Sequence, residues 1–146
     1  YSYASHYHWL DKDHIAFHSR GEEVSEEGDN LYLLKDKSRE GEIIDQGFFT
    51  ADGHCSYSPD RNWLLYDSYP DQDNYRHLYL YDLQNGEGYL LGSFYSYPEI
   101  SGDIRCDLHP RWSPSGKAIS FDSIHEGQRH VYYIELMQNV FGSKLE

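Results

Sequence analysis

Three histidines, His6, His54 and His109, recur about every 50 residues in one local setting, the clearest chemical signal in the chain. Each stands three residues before an aromatic: Trp9, Tyr57 and Trp112. A tight polar turn follows, then an apolar run ending in Phe17, Tyr66 or Phe121, and two residues later a serine (Ser19, Ser68, Ser123). Imidazole suits borderline divalent metals, so the three are candidate ligands for Mn, Fe, Ni or Zn. A metal there would act as a Lewis acid on a carboxylate or carbonyl. Arg105, just before the third histidine, carries the planar guanidinium that grips an anionic group bidentately. The same repetition equally fits histidines that brace strand starts, and an Arg105–Asp107 pair would explain that run structurally.

These residues need elements to position them. The stretch 105–136 reads as three strands: 108–112, then 118–123 after the turn Ser113-Pro114-Ser115-Gly116, then 130–136. Proline presets φ in that turn and glycine tolerates a positive φ. In 118–123 the residues alternate between two faces, the period of a strand. The first copy (Ser5–Ser19, one residue shorter in its turn) and the second (Gly53–Ser68) match it, and each resumes with a strand from Asn30, His77 or His130. The first two copies add a fourth strand at 42–45 and 89–93. Four-strand units at this period mark propeller blades. The expectation is an all-β fold, a single propeller-type domain over 1–146, with blades at 5–45, 53–93 and 104–138. The last blade is incomplete, since 137–146 shows no convincing fourth strand.

In a propeller the first strand of each blade lines the central channel. That places His6, His54 and His109 at one mouth, with Arg76, Arg105, Asp107 and His125 on the same rim. Asp107, Arg76 and His125 are the candidates for substrate binding. His8, His14 and His18 read as solvent-facing or strand-packing residues, and the acidic run 22–29 as a solvated loop. Trp63, Tyr95 and Tyr97 read as packing residues, with 94–98 a long connection towards the mouth.

Composition narrows the function. Aromatics make up 16%, and 15 residues are tyrosine, which favours pleated, half-buried surfaces. The net charge of −13, without a basic patch, argues against nucleic acid and anionic membrane as partners. Two cysteines, Cys55 and Cys106, make no disulfide framework and are expected to be reduced. No apolar run is long enough to span a membrane as a helix, and no secretion signal is visible. There is no G-x-S-x-G elbow, phosphate-cradling glycine loop or C-x-x-C pair.

The turn motifs SPDRNW and SPSGKA, each before a strand, resemble the repeats of TolB-like propellers. The strings DGHCSYSPDRNWLLYDSYPD, LGSFYSYPE and RCDLHPRWSPSGKAISFDSIHEG are similar to bacterial propellers related to oligogalacturonate lyase. The resemblance implies six to eight blades, so this chain is either part of a longer propeller or a homodimer closing a six-blade ring. It also implies a metal held largely by histidines, an acidic oligosaccharide as ligand, and β-elimination. In that chemistry the metal acidifies the proton α to a carboxylate and a base removes it. Arg105 is then the catalytic candidate. The alternatives are a non-catalytic propeller module for protein or sugar, and the regulatory propeller of a larger hydrolase. The chain starts at Tyr1 rather than Met, and the compartment stays open between bacterial cytoplasm and periplasm.

Overall fold

A computed structural model describes residues 3–20 and 29–136. The first antiparallel sheet comprises β1 (Ser5–Trp9), β2 (His14–Arg20), β3 (Asp29–Lys35) and β4 (Gly41–Ile43). The second comprises β5 (Cys55–Tyr57), β6 (Trp63–Asp67), β7 (Tyr75–Asp82) and β8 (Glu87–Tyr95). β9 (Arg111–Trp112), β10 (Ala118–Ser123) and β11 (His130–Glu135) make the third. Each strand pairs with its chain neighbour, so every sheet is a meander; the described helical content is one 3-10 turn, Gly102–Ile104. The fold is all-β, three propeller blades in an open arrangement. The acidic run before Asp29 and the segment after Leu136 lie outside the described residues.

The blades are joined by apolar seams. Ala16 and Leu31 of the first blade pack with Phe49, Cys55, Tyr57, Leu64, Tyr66 and Tyr81. Trp63, Leu65, Leu78 and Leu80 of the second pack with Leu108, Ile119, Phe121 and Leu136. Each fully buried aliphatic or aromatic side chain contributes about 1.5–3 kcal/mol, so the seams hold the blades in a fixed relation. All five residues of β6 are buried, because the middle blade is covered on both faces. Both cysteines are free and buried, and burial raises the Cys55 thiol to about 12.

Three strand boundaries differ from the sequence expectation, each for a local reason. The strand expected at 108–112 shortens to Arg111–Trp112, because His109 adopts the left-handed conformation (φ 42°) and breaks the ladder. Pairing resumes beyond the kink, where Asp122 N–H donates to the Leu108 carbonyl at 2.7 Å. The strand expected at 89–93 extends over Glu87–Tyr95, since β7 offers an eight-residue edge. Phe94 and Tyr95 therefore belong to a strand and not to a connection. The strand expected at 42–45 ends at Ile43, and Asp45 (φ 43°) turns the chain. The turn at Gly116 forms as its residues imply: φ is +71°, and its N–H donates to the Ser113 carbonyl at 2.9 Å. Among the described residues no helix is long and apolar enough to cross a membrane.

Candidate functional site

The three repeat histidines meet at the blade seams. The His6 and His54 rings are 4.1 Å apart and those of His54 and His109 are 4.0 Å apart, so the imidazoles form a ladder along the channel strands. Each sits where its strand begins or bulges. The β1–β2 register slips between Ser5 and His8, and His6 has φ 47°. Histidine tolerates the left-handed region better than most side chains, and bulges re-aim the residue they carry.

Carboxylates set the ladder's electrostatics. Two D-x-H runs, Asp52-Gly53-His54 and Asp107-Leu108-His109, place an acid two residues before a histidine. Asp52 reaches back across the first seam, where its Oδ1 lies 2.8 Å from His6 Nδ1 and accepts from Ser5 Oγ at 2.9 Å. This bond raises the His6 pKa above 6.5. Burial would raise the Asp52 carboxyl, but the His6 and Ser5 bonds outweigh it and hold the group below 3.8.

Gly53 makes the approach possible. A β-carbon there would lie 1.9 Å from the Asp67 carbonyl oxygen.

Asp67, at the end of β6, accepts from the His54 N–H at 2.6 Å and the His109 N–H at 3.0 Å. Its Oδ1 also lies 3.0 Å from His54 Nδ1. With Nδ1 as the donor to this carboxylate, the neutral tautomer leaves the lone pair on Nε2 of His54, the pattern of a metal-ligating histidine.

Asp107 is buried at the second seam between two guanidiniums. Arg105 Nε donates to its Oδ2 at 2.7 Å. Arg76 Nη2 lies 2.7 Å from Oδ1, an ion pair by distance that lacks hydrogen-bond alignment, so Oδ1 is buried without a directed donor. Burial works against ionisation of Asp107, but the Arg105 bond and the two positive charges outweigh it and hold its pKa low. The Tyr69 ring lies under both arginines, at 5.5 Å from Arg105 and 5.6 Å from Arg76, and 6.0 Å from His6.

The ligating atoms of His54, Asp107 and His109 all lie within 4.8 Å of one another. Burial, and then the neighbouring His54, lower the His109 pKa, which favours the neutral ring that a metal binds. The expected ligand trio was His6, His54 and His109; the structure instead gathers the last two with Asp107, while His6 is held by Asp52. Asp107, expected to meet substrate, is a buried residue shared by two arginines. Arg76 is buried too, whereas Arg105 is exposed at the mouth. His125 packs against Phe94 (5.2 Å) and Tyr132 (4.5 Å), with Nδ1 2.9 Å from Ser123 Oγ.

Sequence reasoning missed Asp52, Asp67's double role and Tyr69; the repeated D-x-H run was the available signal for Asp52, and nothing local marked the other two. His18, read as solvent-facing or strand-packing, is fully buried 3.5 Å from Asp52 Oδ1. A groove lined by His14, Leu33, Lys35 and Glu40 lies on the first blade, away from the ladder and without converging ligands.

No protein-family model and no curated protein matches the chain. Among solved structures it is similar to TolB from Acinetobacter baumannii, with TM-score 0.61 and 23% identity over 86% of this chain and 28% of that one. A TolB candidate from Agrobacterium tumefaciens aligns at TM-score 0.58 and 22% identity, covering 92% of this chain and 44% of that one. An oligogalacturonate lyase in complex with manganese aligns at TM-score 0.38 and 18% identity, covering 90% of this chain and 47% of that one. The chain spans less than half the length of each of these structures. The likeness to the two TolB structures identifies the fold as that of TolB-like propeller blades.

Proposed function

We propose that this chain, built of TolB-like propeller blades, is a binding module. In it His54, His109 and Asp107 hold a divalent transition metal, and Arg105 meets the anionic group of an acidic oligosaccharide. The observation that carries the reading is the convergence of two imidazoles and a buried carboxylate within 4.8 Å. Asp107 Oδ1 is buried and accepts no hydrogen bond, although Arg76 Nη2 stands 2.7 Å away. Two nitrogens and one oxygen suit Mn, Fe, Ni or Zn.

The metal would supply Lewis acidity towards a carboxylate or carbonyl. The chain's own residues do the rest. Asp67 fixes the His54 ring, and Tyr69 supports both guanidiniums. The exposed Arg105 can release Asp107 to an incoming cation and turn to an anion. A guanidinium stays charged at ordinary pH, so Arg105 is read as a clamp and not as a base, and the reading is one of binding.

The test is incubation with Mn and oligogalacturonate, followed by calorimetry and ultraviolet absorbance. Metal-dependent binding without absorbance from unsaturated uronide supports the module. Growing absorbance would make the chain a lyase, and absence of metal-dependent binding would overturn both. A second reading, in which these residues only brace the blades, is favoured by the two backbone N–H groups that Asp67 holds, that of His54 in its own blade and that of His109 across the seam. It predicts no metal uptake.

A further inference from the structure

The second blade departs from the repeat near its outer edge. His77 of β7 takes the slot that Asn30 and His130 hold in the other blades, and it stands directly opposite Ser93 of β8. Its Nδ1 lies 2.8 Å from Ser93 Oγ, and its Nε2 lies 2.9 Å from Asp71 Oδ2. In the first blade β4 ends at Ile43, opposite Tyr32, and stops short of that slot, so a blade of this fold is built without the contact.

A serine hydroxyl is a weak nucleophile unless a base stands beside it and a third group holds the base. Asp71 is that third group. Its Oδ1 accepts the N–H groups of Asp73 and Tyr75 at 2.9 Å each, which leaves Oδ2 to His77. The Tyr75 bond above all holds the Asp71 carboxyl below 3.8, so it is ionised. An ionised carboxylate only accepts, so Nε2 carries the ring proton of His77 and Nδ1 turns its lone pair to the Ser93 hydroxyl.

The backbone supplies the other parts. The His77 N–H donates to Ser68 Oγ and its carbonyl accepts the Ser68 N–H, both at 3.0 Å. With both groups turned to that side, His77 and Ser93 form a non-hydrogen-bonded pair, the kind whose side chains approach closest. The Ser93 N–H therefore points off the open edge of β8, the last strand of its sheet, where it can donate to an oxyanion. The β7–β8 register slips between Leu78 and Tyr79, which leaves Leu91 as a bulge two residues before Ser93. On the same face Tyr75 and Tyr95 come next, rings 5.5 Å apart, with Tyr97 5.1 Å from Tyr95. Ser93 is exposed and His77 half-buried.

We infer that Ser93, His77 and Asp71 form an acyl-transfer site for small carboxylic esters, which lie against the Tyr75–Tyr95 wall. Ser93 Oγ bonds to the ester carbonyl carbon while its proton passes to His77 Nδ1. The bond from that carbon to the alcohol oxygen then breaks, and the alcohol leaves with the proton. Water adds to the acyl-serine and gives a proton to the same nitrogen. Collapse releases the acid as that proton returns to Ser93 Oγ.

The site stands apart from the metal reading, so the purified chain is tested with chelator present. The probe is a fluorophosphonate, which loses fluoride to an activated serine and leaves a stable adduct, read by intact mass and peptide mapping. One adduct per chain is expected, on Ser93, and it should block turnover of nitrophenyl acetate. His77→Gln and Asp71→Asn should slow labelling at least about tenfold, and Ser93→Ala should abolish it. His130→Ala, in the same slot of the third blade, should label as the wild type does. A wild type without an adduct on Ser93 would overturn the inference whether or not any variant folds. So would labelling of His77→Gln at the wild-type rate, or variants that shift only the melting temperature, as residues pinning a loop to a strand would.

Discussion

Asp67 Oδ2 accepts the backbone N–H of His109 at 3.0 Å, while Oδ1 of the same buried carboxylate accepts that of His54 at 2.6 Å. One side chain thus fixes the channel strands of two blades. Asp67→Ala leaves both N–H groups without their acceptor. An unsatisfied buried donor costs about 1–3 kcal/mol, so a loss of about 2–4 kcal/mol in urea unfolding is expected. A loss below about 1 kcal/mol would mean that the seam does not depend on this carboxylate.

Gly53→Ala should disrupt the same region without removing any polar group. The new methyl would meet the Asp67 carbonyl at 1.9 Å, and backbone cannot yield as a flexible side chain can. Destabilisation of about 1–3 kcal/mol is expected, together with lost amide-exchange protection at His54 and Cys55.

The two arginines on Asp107 should separate cleanly. Arg76 is buried, and Arg76→Ala takes the buried partner from Asp107 and leaves it only the exposed Arg105, at a cost of about 3–5 kcal/mol. Arg105 is exposed, and Arg105→Ala should cost under about 1 kcal/mol while weakening oligogalacturonate binding. Equal stability losses would contradict the difference in burial.

His18 sets a pH dependence. Burial, only partly offset by Asp52, lowers its pKa below 6.5, and burial lowers His8 in the same direction. The unfolded chain takes up protons near pH 6.5 that the folded chain resists. Stability contributed this way is present above pH 6.5 and is lost as pH falls below it. His6, with its raised pKa, acts in the opposite sense, so the contribution of His18 is read by difference: from pH 8 to 5, His18→Gln should lose less urea stability than the wild type. An unchanged acid limb in the variant would remove His18 as its source.

Much of the fold was legible because the chain writes it three times. The His–aromatic–turn–strand order gave the blades and put His6, His54 and His109 in one line, where the rings now stand 4.1 and 4.0 Å apart. The exchange of His6 for Asp107 in the converging group was not legible. It depends on Asp52 capturing His6 across the seam, through a connection that Gly53 lets approach to contact distance. The short β9 was hidden for a similar reason: the left-handed conformation of His109 is set by Asp67 holding its N–H from another blade. His18 occupies the slot of Asp67 and Asp122, and alternation alone does not say whether a neighbouring connection will bury it.

The most direct test is calorimetric titration of the metal-stripped protein with Mn, Ni and Zn, with elemental analysis of the same samples. The account predicts one site per chain, weakened at least about tenfold by His54→Ala, His109→Ala and Asp107→Asn, and by Asp67→Asn through loss of His54 orientation. His14→Ala, remote from the ladder, should leave it unchanged. Absence of binding, or equal binding by wild type and His54→Ala, would contradict a metal centre at this mouth.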